Sequence, residues 1–188
     1  TLELSQSGGL SLGANTLTLS GGGTLESGVL YLDNASSKLL LNSITVDNVS
    51  TSADSLGLDV DADSTVTKLT VGHTTPVSIA SGKTLSGAIT VTAGSIKLGE
   101  TGTLASTVSM SGGTLDADET LTLSGALSQS GNITIDVATG KTLTYSGTAI
   151  SLGAYTLTLS GGGTLVSGGL DLNHTSSKLL LNSITVDS

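Results

Sequence analysis

The chain has 188 residues and a formal charge of −9, set by 15 carboxylates against six cations that are all lysine. Without arginine or a basic patch it lacks the electrostatic term that drives binding to a phosphodiester backbone, and without cysteine it can form neither a disulfide framework nor a thiolate metal site. Only Tyr31, Tyr145 and Tyr155 are aromatic, so the core has to be assembled from Leu, Ile, Val and Ala rather than anchored on large rings.

From the N-terminus, short runs of alternating apolar and polar residues predict strands over 1–5, 9–13, 16–20, 29–33, 38–42 and 44–47. Further runs follow over 56–63, 67–72, 76–81, 88–94, 95–99, 103–110, 119–125, 132–137 and 141–147. Each has the period of two expected of a strand with one buried face, and helical spacing is not sustained anywhere. The breaks are made by Gly, Ser, Asn and Asp, with 26 glycines against a single proline, Pro76. Glycine at this level without a G-X-Y period excludes collagen, and the regular alternation excludes a disordered chain.

The stretch 10–48 then returns as 150–188, a period of 140 residues in which nine of 39 aligned positions differ. Weaker internal echoes pair 77–85 with 135–143 and 61–65 with 116–120. A repeat of this length exceeds an immunoglobulin-like module of ~100 residues, and no Asn-Gly or Asp-Gly hairpin signal separates the strands. The pattern therefore predicts an all-β chain, a single parallel β-helix or solenoid of about nine coils, each of roughly 20 residues. With about 4.8 Å between coils it is a rod on the order of 45 Å long. In TLTLSGGGTL the leucines point inward and the threonines outward, with glycine at the corners. Asn42 and Asn182 are read either as inward corner residues or as solvated turn residues. No secretory leader and no apolar run of about 18 residues is present. The chain opens at Thr1 and closes at Ser188 inside a repeat copy, so 1–188 reads as one continuous solenoid segment of a longer tandem-repeat protein.

The Gly-Gly-Gly-Thr-Leu turns and Thr/Leu strands at Thr16–Leu25, Gly112–Gly125 and Thr156–Leu165 resemble the passenger regions of Gram-negative autotransporters and filamentous-haemagglutinin-like adhesins. The resemblance implies a right-handed β-helix, exported and displayed at the cell surface as a stalk or adhesive filament. It carries no catalytic motif onto this chain.

Asp59, Asp61 and Asp63 alternate in L-D-V-D-A-D, which would put three carboxylates on one strand face and invite a hard cation such as Ca²⁺; a solvated acidic strand edge is the other reading. Asp116, Asp118 and Glu119 form a looser second group. His73 and His174 lie far apart, without zinc or triad spacing, and read as surface residues. A polysaccharide-active β-helix would need cations or rings to hold a sugar, and Arg, Trp and Phe are missing, so no enzyme is expected. Thr-x-Thr pairs at 16/18, 65/67, 90/92, 120/122, 142/144 and 156/158 raise an ice-binding solenoid as the alternative, although their intervals along the chain are unequal. The reading is a structural, extracellular protein that self-associates end to end or laterally. A surface receptor or glycan is its further partner; it engages no nucleic acid, inserts no part of this segment in a membrane and needs no cofactor beyond the calcium candidate.

Overall fold

A chain whose apolar residues sit at every second position buries one face of each strand, and successive turns of about 20 residues let each strand pair with the one a full turn away. The computed structural model, which describes residues 2–4 and 8–188, has this architecture. Among the described residues there is no helix, and the ladders between strands are parallel apart from one isolated antiparallel bridge between Ala138 and Gly162. The coils form a β-solenoid of about nine turns.

Each coil contributes three runs of extended chain, which define three faces. The first face is a nine-stranded sheet: Thr16–Ser20, Lys38–Asn42, Gly57–Val60, Thr75–Ile79, Ser95–Gly99, Thr114–Ala117, Ile133–Val137, Thr156–Ser160 and Lys178–Leu181. The second and third faces belong to a 14-stranded sheet, except that Ile150–Ser151 and Leu170–Asp171 of the third face form a two-stranded sheet of their own. In three coils they run together as single strands, Thr45–Thr51, Ser64–Val71 and Thr84–Val91; elsewhere they separate, as in Thr103–Leu104 and Thr107–Met110. The sequence run 103–110 is thus two strands, with the buried Ser106 turned inward between them and its hydroxyl donating to the Leu85 carbonyl.

Coil length varies without disturbing the register. Leu39 faces Leu58, 19 positions on, whereas Ile135 faces Leu159, 24 positions on. The corners absorb the difference, because only the strands are tied to their neighbours. Inward columns follow: Leu39, Leu58, Val77, Leu98, Ala117 and Val137 on the first face, and Leu30, Val49, Leu69, Ile89, Val108 and Leu127 on the third. All of these are buried, and each large apolar side chain so placed stabilises the fold by roughly 1.5–3 kcal/mol.

Two glycines show what close stacking requires. Gly57 has φ +83, and a Cβ there would lie 1.8 Å from the carbonyl oxygen of Pro76 on the next coil. Gly87 has φ +124 and its Cβ would lie 1.8 Å from the Val66 carbonyl, where the pairing register shifts at a bulge.

The echo between 77–85 and 135–143 is structural. The two segments lie three coils apart and make the same turn, with Lys83 N donating to Ala80 O and Lys141 N to Ala138 O, each at 2.9 Å. The echo between 61–65 and 116–120 is not, since Asp61 follows the end of its strand while Asp116 lies within one. Asn42, the last residue of its strand, and Asn182, in the bend after its own, are both exposed rather than inward.

The third face is interrupted once. Leu127–Gln129 and Ile150–Ser151 occupy successive coils but share no ladder. Side chains bridge the break: Gln129 Nε2 donates to the Leu152 carbonyl at 2.7 Å, and Leu127 N donates to the hydroxyl of the buried Tyr145 at 3.2 Å.

The 140-residue period corresponds to seven coils, from Lys38–Asn42 to Lys178–Leu181. Identical segments therefore meet different surroundings: Leu41 and Val46 are 0% exposed beneath the next coil, whereas Leu181 and Val186 are 59% and 38% exposed. Leu41→Ala is expected to cost about 2–5 kcal/mol and Leu181→Ala under about 1 kcal/mol, read as shifts in the urea midpoint. Equal costs would mean that stacking does not create the core.

Candidate functional site

The surface is built from the outward positions of the same strands, and the three faces differ in chemistry. The first face carries two of the three ion pairs among the described residues. Lys38 Nζ lies 2.5 Å from Asp59 Oδ2 and Lys97 Nζ lies 3.2 Å from Asp116 Oδ2, while Lys141 reaches Glu119 at 2.5 Å around the adjoining corner. Along one outward column Lys97, Asp116, Asp136 and Ser160 stand in register, so two carboxylates are stacked directly upon each other. Lys97 neutralises one end of this column and the Ser160 hydroxyl donates to Asp136 at the other.

The strands of the second and third faces from Thr84 to Ser167 hold no charged residue. Thr84, Thr103, Thr122 and Thr144 form one outward column, and Ser50, Thr70, Thr90, Ser109 and Ser128 another. Steps of 19, 19 and 22 residues along the first column, and of 20, 20, 19 and 19 along the second, become one row per coil, whereas the Thr-x-Thr pairs 16/18 and 156/158 lie on the first face.

The corner between the first and second faces holds a shallow groove of about 330 Å³, lined by Gly22, Gly23, Ser43, Thr45, Asp63 and Thr84 among others. Its geometry repeats with the sequence: Ser43 and Ser183 have φ 53 and 55, and Gly22 and Gly162 have φ 68 and 79.

Asp59, Asp61 and Asp63 do not share one strand face. The strand ends at Val60, leaving Asp59 outward on the first face and paired with Lys38, and carrying Asp61 and Asp63 around the corner. Asp63 Oδ1 accepts the amide of Thr84 at 2.8 Å. Among the described residues no group of three or more His, Asp or Glu side chains stands together as metal ligands would. His73 is exposed on one coil; His174 is exposed on another, where its Nδ1 accepts the amide of Ser176 at 3.0 Å.

A third corner, where the third face turns into the first, went unnoticed in the sequence. The loops 12–15 and 33–37 stack there, as do 152–155 and 172–177. Ser37 Oγ donates to the Gly13 carbonyl at 2.6 Å and Ser177 Oγ to the Gly153 carbonyl at 2.5 Å. Asp33 accepts the Gly13 amide at 2.9 Å and the Ser11 hydroxyl, and these bonds hold its carboxyl below the usual range. Part of the signal lay in the repeat itself: of its nine differing positions, 15, 33, 34 and 35 fall in these loops.

On the first face, burial pushes the Asp116 carboxyl up, against the hydrogen bond from Lys97, with Asp118 and Asp136 adding to the rise. The Lys97 ammonium is raised by its bond to Asp116 and then by the field of Asp116, Asp118 and Asp136. A raised lysine contributes stability that is present below about pH 10.4 and lost as pH climbs through its folded value. A raised carboxyl behaves differently: from about pH 4 upward the unfolded chain releases its proton first, so stability falls as pH rises to the folded value. Asp116→Asn removes that component. The stability of the wild type relative to Asp116→Asn is therefore expected to decline as pH rises above about 4 in urea titrations. A constant difference would show that Asp116 ionises alike in both states.

Comparison of the chain with protein-family models, curated proteins and solved structures finds no match.

Proposed function

We propose that this chain is a structural element of an extracellular or cell-surface protein, a rigid stalk or fibre segment of the adhesin type, whose coils extend one another. The observation that carries the reading is the double use of the segment KLLLNSITVD. At 38–47 its inward side chains are sealed beneath the coil above; at 178–187 the inward Leu181 and Val186 are exposed. Unpaired backbone and open leucines together are a template for a further coil. The seven-coil period supports the same reading, because a rod whose units return to the same edge chemistry can be lengthened without new design. Its hydroxyl and carboxylate surface keeps such a rod hydrated, and the charge of −9 opposes indiscriminate clumping.

End-to-end association of the purified 188-residue chain is expected in sedimentation velocity, with larger species growing as concentration rises. Leu181→Asp places a charge on the edge and is expected to return the chain to its smallest species. A single monomeric boundary at all concentrations would remove the self-assembly part of this reading.

A second reading is favoured by one observation, the uncharged threonine and serine columns on the second and third faces. Flat rows of hydroxyl and methyl groups at regular coil spacing suit an ordered water lattice such as ice. This reading expects thermal hysteresis in the purified chain, reduced by Thr122→Lys in the middle of the array. Freezing behaviour no different from that of a control protein of equal concentration would exclude it.

A further inference from the structure

We propose that the junction between the coil of Leu127–Gln129 and the coil of Ile150–Ser151 is a built-in yield point of the rod. It is a seam held by side chains in place of a third ladder, and it opens before any other interior junction. This is a property of the rod itself and holds whether or not the rod serves as a stalk.

The ladders locate the seam. Among the described residues the first and second faces are laddered from end to end. The third face is laddered from Leu10–Ser11 up to Leu127–Gln129, and again between Ile150–Ser151 and Leu170–Asp171. Two ladders therefore join the coils at the seam, where the other pairs of coils have three.

The backbone bonding shows what is missing. On the third face the amide of an inward residue donates to the carbonyl just before its partner on the next coil. Leu10 N reaches Val29 O at 2.7 Å, Val108 N reaches Ala126 O at 2.8 Å and Ile150 N reaches Gly169 O at 3.0 Å. By that rule Leu127 N would meet the carbonyl of Ala149. It donates instead to the Tyr145 hydroxyl at 3.2 Å.

The cause lies in two inward columns. On the second face Leu85, Leu104 and Leu123 are followed by Tyr145. On the third face Leu32, Thr51, Val71, Val91 and Met110 are followed by Gln129. The tyrosine ring reaches farther than a leucine and is sealed in, 3% exposed, with its hydroxyl at the third-face strand. A Cβ at Gly147 would lie 2.3 Å from that hydroxyl, so the chain passes the ring only as glycine. Gln129 Nε2 donates to the Leu152 carbonyl at 2.7 Å, but its Oε1 is buried without a partner. Both polar groups thus enter the interior at the one junction where the ladder fails.

Parting two coils elsewhere breaks three ladders and wets columns of leucine, isoleucine and valine. Here it breaks two, and entering water satisfies Gln129 Oε1, the Tyr145 hydroxyl and the Leu127 amide. The open state therefore lies closer in free energy to the closed one here than at the other interior junctions. With the first and second faces still laddered, the motion is a gape of the third face about the corner that those two share.

The test is hydrogen exchange of the dilute 188-residue chain, read residue by residue by NMR, with circular dichroism confirming that each variant folds. The amides of Leu127 and Gln129 alternate onto the same side of their strand and face the seam. They are expected to exchange at least about tenfold faster than those of Val108 and Met110, one coil below. Tyr145→Leu combined with Gln129→Met restores both apolar columns and is expected to slow the two amides to the rate of Val108. Tyr145→Phe keeps the ring but removes the acceptor, and is expected to quicken Leu127 while leaving Val108 unchanged; it remains informative if the double variant does not fold. Equal protection of Leu127, Gln129, Val108 and Met110 in the wild type overturns the proposal. So does a folded double variant whose seam amides exchange as fast as before, or a Tyr145→Phe variant without effect on Leu127.

Discussion

Everything in this molecule depends on strands of successive coils being hydrogen-bonded in register. The parallel ladder sets a spacing of about 4.8 Å between coils, and at that spacing an inward leucine must rest on whatever the next coil places above it. Leu39 on Leu58 on Val77 is the result, and the alternation of side chains then determines which residues face water. A one-residue slip would turn every buried side chain outward, so the apolar alternation and the ladder enforce each other.

The same constraint divides the molecule into parts that tolerate change and parts that do not. Strands cannot vary in register, but corners can vary in length, which is why coils of 19 and 24 residues stack equally well. Where a strand meets a close backbone approach, as at Gly57 and Gly87, no side chain fits. Where the third face breaks between Leu127–Gln129 and Ile150–Ser151, the side chains of Gln129 and Tyr145 supply bonds that the ladder would otherwise make. Between the two repeat copies the segment KLLLNSITVD is unchanged, while four of the nine differences, at 15, 33, 34 and 35, fall in the loops of the third corner.

Function on such a scaffold is a matter of surfaces rather than of an enclosed site. On the first face lysine–carboxylate pairs link successive coils, whereas the strands of the other two faces carry no charge from Thr84 to Ser167. The three faces and the corners between them are separate features of one stacked frame.

The sequence by itself determined the class of fold, the number of coils, the seven-coil period and the inward direction of the leucines, because all of these follow from a period of two and a repeat that can be counted. It could not determine which outward residues become neighbours. Thr84, Thr103, Thr122 and Thr144 are unequally spaced along the chain and form one column only because the corners take up the difference. Asp59, Asp61 and Asp63 look like one acidic face but are parted where the strand ends at Val60, a boundary that alternation alone does not reveal. Inward contacts are local in pattern, while outward neighbours are set by how many residues each corner happens to hold.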